Sequence, residues 1–394
     1  MIANIIVAIL SAALLGWLFW KMDRPIAVIL ALAYLFRLFV LYADIYHLVP
    51  NPFSGSDTED FHAAMLEFMA GSGTIKTNYT YVLAVFYGLF GDYGRFVAQF
   101  FNVLLSFGVL LLLHWALQML DVSRKSLLIA VSVVAFMPAT VCLSGVLLRE
   151  AWIQFFLMLS ACCFVRWFLR GGIWNEAACL AATFAAMVMH AGCIGALAVY
   201  MLGFLICRTW KKEGVRTYAL TACVVAVFLL SMLIFPDQLL FKFTYAAASG
   251  NTFDVVPVVA GSTYLLWMQK LGIGLRLLLS PVRMFYLLFS PLPFDWRGIS
   301  DAAVFCVDSL VYVVLAVLMF RPPLMGKAMQ LKRLLGYSVL LMTFVFAFGT
   351  TNAGTAVRHR AKFLPVLVLV AAYPKKVDEE TIRVSSLASE TLNH

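Results

Sequence analysis

Charge is what this chain has least of. Only 12% of its 394 residues are Asp, Glu, Lys or Arg, while 63% are hydrophobic. No soluble fold of this size holds so many apolar runs long enough to cross a bilayer, a length of roughly 20 residues each. Familiar signatures are missing too. There is no G-x-x-x-x-G-K-[ST], no H-E-x-x-H and no G-x-S-x-G, which argues against ATP hydrolysis, transition-metal chemistry and a nucleophile elbow. The eight cysteines (Cys142, Cys162, Cys163, Cys179, Cys193, Cys207, Cys223 and Cys306) fall in apolar runs without any C-x-x-C. They read as small packing residues, with no disulfide or metal framework. Met1 to Trp20 lacks a basic n-region and an A-x-A-like site, so it reads as a first span and not as a signal peptide. The net charge of +9 follows membrane topology and is no sign of nucleic-acid binding.

What is present is a polytopic, all-α integral membrane protein. Spans are expected near 1–20, 25–43, 96–120, 127–147, 151–168, 174–190, 192–207, 218–235, 301–320, 334–350 and 361–373, about eleven helices by the length rule. They form a single transmembrane domain over 1–373, followed by a polar, disordered tail over 374–394. One alternating set of short loops holds most of the basic residues, among them Lys21, Arg124, Arg170, Lys211, Lys327 and Lys375. The positive-inside rule makes that set and the tail cytoplasmic, and puts the N-terminus outside. The outer face then carries two long connections, about 44–95 and 236–300, too long to be mere links. Tyr79 to Phe90 is too short to span comfortably; Tyr264 to Phe289 is interrupted by Lys270, Arg276, Pro281 and Arg283.

The isolated polar residues fall on that outer face. Asp57, Glu59 and Asp60 follow Gly55-Ser56 and suit a general base for a hydroxyl or an oxygen site for a divalent cation. On a helix Asp57 and Asp60 share a face while Glu59 points elsewhere; the plainer account is a capped helix start. Arg149 and Glu150 sit in Leu147-Leu148-Arg149-Glu150-Ala151-Trp152, at a turn where a charge pair is costly without a task. Arg149 there could reach a lipid-linked diphosphate at headgroup level, or the pair could simply snorkel. Arg276, Arg283 and Arg297 suit anionic headgroups as well as substrate, and His190 is a weaker candidate at another turn. Arg37 lies within a span and needs a partner, with Asp44 at the limit of reach. Arg358, His359, Arg360 and Lys362 form a basic cluster against an apolar run. Such a cluster suits phosphate or pyrophosphate held by forked donors, or else ordinary flank anchors. Together these groups fit transfer from a lipid pyrophosphate to a hydroxyl on the extracytoplasmic side, with no cofactor required and a divalent cation at Asp57 and Asp60 possible.

The acidic motif at Gly55–Phe61, the run Tyr81–Gly91, the span beginning at Asn102, the proline-containing stretch Pro138–Glu150 and the run Asn352–Arg360 make a recognisable layout. It resembles bacterial polysaccharide polymerases of the Wzy/EpsG type and the GT-C class of membrane glycosyltransferases. The resemblance covers roughly residues 50–170 and 345–373. It implies an inverting transfer in the bacterial inner membrane that uses no nucleotide sugar. The donor glycan would leave undecaprenyl diphosphate, with Arg149, Arg358 and Arg360 stabilising the leaving group. Asp57 or Asp60 would be the base by GT-C analogy, and Glu150 or His359 by position. A polymerase of this kind implies a flippase and a chain-length regulator as partners, and no nucleic acid. Two other activities stay open: addition of one sugar from a polyprenyl-phosphate donor, and transport of a lipid-linked oligosaccharide.

Overall fold

The computed structural model describes residues 2–51, 57–73, 77–211, 262–269, 271–321 and 327–372. In chain order the helices are α1 (Ile2–Lys21), α2 (Arg24–Ile45), α3 (Asp57–Met69), α4 (Asn78–Phe90), α5 (Gly94–Met119), α6 (Arg124–Phe136), α7 (Pro138–Cys142), α8 (Glu150–Arg170), α9 (Ile173–Met189) and α10 (Ile194–Lys211). There follow α11 (Leu266–Gln269), α12 (Ile273–Leu278), α13 (Ser280–Phe289), α14 (Ile299–Phe320, with a π turn at Phe305–Ser309), α15 (Lys327–Phe348) and α16 (Ala353–Ala372). Among the described residues there is no strand, only an isolated bridge between Thr263 and Asn352. Among the described residues six stretches are long and apolar enough to cross a bilayer, with Asn78–Met119 counted as one, and α9 is among the shorter apolar helices. The protein is therefore a polytopic, all-helical membrane protein. The span expected at 218–235 and the tail over 374–394 lie outside the described residues.

Three expectations change. The first long connection contains two helices, α3 and α4, packed on the bundle. The stretch Tyr264–Phe289 is divided among α11, α12 and α13, so no single span forms there. The run 127–147 is not one helix either: α6 stops at Phe136 and the chain turns into α7 and an irregular stretch before α8. Pro138 is the cause. It has no N–H to offer the carbonyl of Val134, and its ring crowds the preceding turn. Leu143, Val146, Leu147 and Leu148 bury the irregular stretch inside protein, where non-helical backbone at membrane depth is tolerated. Gly145 lies so close to α2 that a Cβ would come within 2.6 Å of the Leu41 amide nitrogen.

Arg37 answers the break. Its guanidinium is buried and donates to the carbonyls of Ala135 at 2.9 Å and Val134 at 3.4 Å, to Ala33 at 3.0 Å and to Ser106 Oγ at 2.9 Å. Thr140 Oγ1 donates a second bond to Val134, at 3.0 Å. The partner of Arg37 is thus the frayed end of α6 and not Asp44, which accepts from Gln99 at 2.6 Å and Arg95 at 3.1 Å.

The last helix also differs from expectation. It begins at Ala353, not near 361, so the whole basic cluster rides on it. Helix α16 is the central element and packs against α5, α6, α8, α13, α14 and α15. His359, Arg360 and Lys362 are buried, which rules out the flank-anchor account for these three.

Replacing Arg37 by Met keeps the volume but strands the α6 carbonyls. The expected result is a lower thermal midpoint in detergent, with about 1.5–3 kcal/mol lost per charged hydrogen bond that is not replaced. Arg37→Lys should recover only part of it, because one ammonium cannot span all four acceptors. An unchanged midpoint for Arg37→Met would contradict the capping role.

Candidate active site

At one end of the bundle the starts of α3 and α8 and the first turns of α16 meet around a cavity of about 540 Å³. Its wall includes Asp57, Asp60, Phe61, Arg149, Glu150 and Arg358. Acidic residues crowd the first turn of α3, where the partial positive charge of a helix N-terminus favours them. Glu150 begins α8 for the same reason, at the end of the buried irregular stretch.

Arg358 is the hinge of the site. One guanidinium nitrogen donates to Asp57 Oδ2 and the other to Glu150 Oε1 at 3.1 Å. Lys362, one helical turn on, brings its ammonium to 3.6 Å from the same Glu150 oxygen. Glu150 is therefore a buried carboxylate held between two cations. Arg149 differs: among the described residues no acceptor hydrogen-bonds its guanidinium, although it lines the cavity. Asp57, Asp60, Glu67 and Glu150 supply four carboxylates against the guanidiniums of Arg149 and Arg358. The cavity offers one unpaired cation, one shared cation and an excess of acceptors.

Five of the residues singled out in the sequence thus come together: Asp57, Asp60, Arg149, Glu150 and Arg358. His359, Arg360, Arg276 and Arg283 do not line the cavity. Successive helical residues turn by about 100°, so Arg358 and Lys362 share a face while His359 and Arg360 point away from it. Arg360 donates to Asp308, to the carbonyls of Leu288 at 2.8 Å and Ser290 at 2.6 Å, and to Ser309 Oγ at 3.0 Å. His359 stacks edge-on with His190 and Phe346, each at 5.0 Å between ring centres. Arg276 donates to the Leu271 carbonyl at 2.8 Å; Arg283 donates to that of Thr350 at 3.4 Å and lies over the Phe348 ring. Among the described residues no group of three or more His, Cys, Asp or Glu side chains is arranged to hold a metal ion.

Other residues build the site without having been singled out for it. Asn102 donates to the carbonyls of Val146 at 2.7 Å and Leu148 at 3.0 Å, and accepts from Trp152 Nε1 at 2.9 Å. It holds the irregular stretch that presents Arg149 and Glu150. The signal was an amide inside an apolar helix, which needs partners wherever it is buried. Helix α3 is docked by its far face. Arg95 donates to Glu59 at 2.6 and 3.0 Å, His62 Nδ1 and the Tyr87 hydroxyl share a hydrogen bond of 2.7 Å, and Phe61 packs edge-on against Tyr79. Glu59 does point away from Asp57 and Asp60, as helical spacing requires.

The family model for dolichyl-phosphate-mannose-protein mannosyltransferases matches residues 53–249, half of the chain. The chain belongs to that family. As one of these mannosyltransferase-family proteins it is a multi-pass membrane glycosyltransferase of the GT-C class. The matched stretch contains Asp57, Asp60, Arg149 and Glu150, while Arg358 lies beyond it. No curated protein matches the chain.

The Arg95 guanidinium holds the Glu59 carboxyl below its usual range, chiefly through their hydrogen bonds. A depressed carboxylate stabilises the fold above its unfolded value, about 4.3, and that contribution is lost as pH falls through the lower folded value. Hydrogen exchange on α3 should therefore show protection that fades with acidification. Burial lowers the pKa of His62, which Glu59 partly offsets, so the comparison of wild type with Glu59→Gln is made on a His62→Gln background. Glu59→Gln should start with less protection at neutral pH and lose less on acidification. Parallel curves for the two proteins would rule out this anchoring.

Proposed function

We propose that this protein transfers a glycosyl group from a polyprenyl-phosphate-linked donor to a hydroxyl group of an acceptor glycan. The observation that carries the reading is Arg358 shared between Asp57 and Glu150, in one cavity with an Arg149 that no acceptor among the described residues holds. The donor phosphate would be held by Arg149 and Arg358, whose forked donors match its oxygens. When Arg358 turns to the phosphate it releases Asp57, which takes the proton of the acceptor hydroxyl. The acceptor oxygen then attacks the anomeric carbon from the face opposite the phosphate. The bond between that carbon and the phosphate oxygen breaks, and the lipid phosphate leaves with the electron pair. The outcome is inversion, with the developing charge met by Arg149 and Arg358. Glu150, itself paired with Lys362, keeps Arg358 in place. Asp60 faces the same cavity and would orient the acceptor.

The charge count favours a monophosphate donor. Among the described residues four carboxylates face Arg149, Arg358 and the Lys362 that pairs with Glu150, which leaves no cation in excess for a second phosphate. The second reading is polymerisation of repeat units linked to undecaprenyl diphosphate, which the runs Leu147–Glu150 and Asn352–Arg360 favour. Its Arg360, however, is taken up by Asp308 and two carbonyls. In either reading the cavity faces away from the cytoplasm of a bacterial inner membrane, with the basic loops inside. A transporter of lipid-linked oligosaccharide fits less well, because transporters place their sites at the bilayer midplane between repeats.

Arg149→Ala and Arg358→Ala should each lower transfer by about 10²–10³-fold, as loss of a donor to a developing anion does. The Lys variants should recover only part of it. Asp57→Asn should cost about 10²–10⁴-fold, the usual contribution of a general base, and Asp60→Asn less. Full activity in both Arg→Ala variants would end the phosphate argument. The surface glycan of a deletion strain, resolved by size, separates the two readings. Full-length chains lacking one sugar would support the single transfer, and collapse to one repeat would support polymerisation.

A further inference from the structure

A second cavity, of about 570 Å³, lies at the opposite end of the bundle. It is bounded by the end of α1, the start of α2, the end of α5 and the start of α6, and nothing in the proposed transfer uses it. Its wall includes Trp17, Lys21, His114, Trp115, Gln118 and Arg124, among apolar side chains such as Leu111 and Leu128. Two cations, the Asp23 carboxylate and two indoles over an apolar floor make a chemistry of their own. Trp17, Trp20 and Trp115 are surface-exposed at this level, the pattern of an aromatic belt at a membrane–water interface.

We propose that this cavity binds one anionic phospholipid, its phosphate between Lys21 and Arg124 and its acyl chains along α1 and α5. Three observations converge on that occupant. First, α1 is barely embedded, with 11% of its apolar window buried, so the space beside it opens to lipid. Second, the polar end is net positive. Asp23 meets Arg124 at 3.5 Å in a pair whose side chains are both largely exposed, and among the described residues no carboxylate forms an ion pair with Lys21. Such exposed pairs are weak and yield readily to a phosphate. Ser123 caps α6, and the positive end of that helix adds to the potential at Arg124. Third, the same end of the bundle carries Arg24, Lys125, Arg166 and Arg170, so the surrounding field also draws anions. A zwitterionic headgroup fits poorly. Its quaternary amine would be repelled by Lys21 and Arg124, and the Trp20 face that could receive it already carries the Lys21 ammonium at 4.1 Å.

The test is lipid retention by purified, delipidated protein. The protein would be titrated with phosphatidylglycerol or phosphatidylcholine in detergent and read by native mass spectrometry. Wild type should take up one phosphatidylglycerol in preference to phosphatidylcholine. Lys21→Gln and Arg124→Gln should each weaken that adduct about fivefold, the effect of one cation at a membrane surface. Lys125→Gln, next to Arg124 but outside the cavity wall, should weaken it less than about twofold, through the surrounding field alone. Thermal midpoints of the variants, and retained glycosyl transfer, confirm that each is folded. Equal uptake of the two lipids would overturn the proposal. So would an equal loss in Lys125→Gln, which would assign the binding to the diffuse basic surface and not to the cavity.

Discussion

A charge carried into an apolar bundle has to bring its partner with it. Several kcal/mol are lost for each ion left unpaired in a low-dielectric interior, and the arrangement around α16 follows from that constraint. Arg358 holds Asp57 and Glu150, Lys362 approaches Glu150, and Arg360 holds Asp308. These pairs tie α3, α8 and α14 to one central helix. The requirement that the cations be neutralised is therefore also what assembles the cavity.

The short basic run on α16 divides its labour by geometry. Arg358 faces the cavity with a guanidinium partly accessible, whereas Arg360, two residues on, is sealed against Asp308, Ser309 and two carbonyls. Identical side chains in one motif thus meet different surroundings, because 100° per residue sends neighbours to different faces. Arg37 shows the same economy elsewhere: a proline breaks α6, and a buried guanidinium from another helix supplies the donors that the backbone lost. Asn102 repeats the theme, an amide in an apolar helix that fastens irregular chain at the mouth of the site.

The two ends of the bundle are chemically unlike. One holds a cavity rich in carboxylates with its guanidiniums partly engaged, suited to binding a phosphate while keeping a base at hand. The other is rich in lysine, arginine and tryptophan and fits the surface of an anionic leaflet. Charge sparseness makes both ends legible, since in so apolar a chain any polar cluster needs a reason.

Hydropathy alone determined the class of this protein and the positions of α1, α2, α5, α8 and α14. Helical spacing also separated Glu59 from Asp57 and Asp60. These properties depend on composition and local period, which are written in the chain. The proline break in α6 was hidden because apolar residues continue through Pro138 to Leu148, so the run reads as one span. The start of α16 was hidden because its charges resemble a loop until partners from α3, α8 and α14 are in place. Tertiary structure alone decided which arginine of the run faces the cavity, why Arg37 ignores Asp44, and how Asn102 holds the turn before Glu150. Each of those depends on groups distant in sequence, and only packing brings them within hydrogen-bond reach.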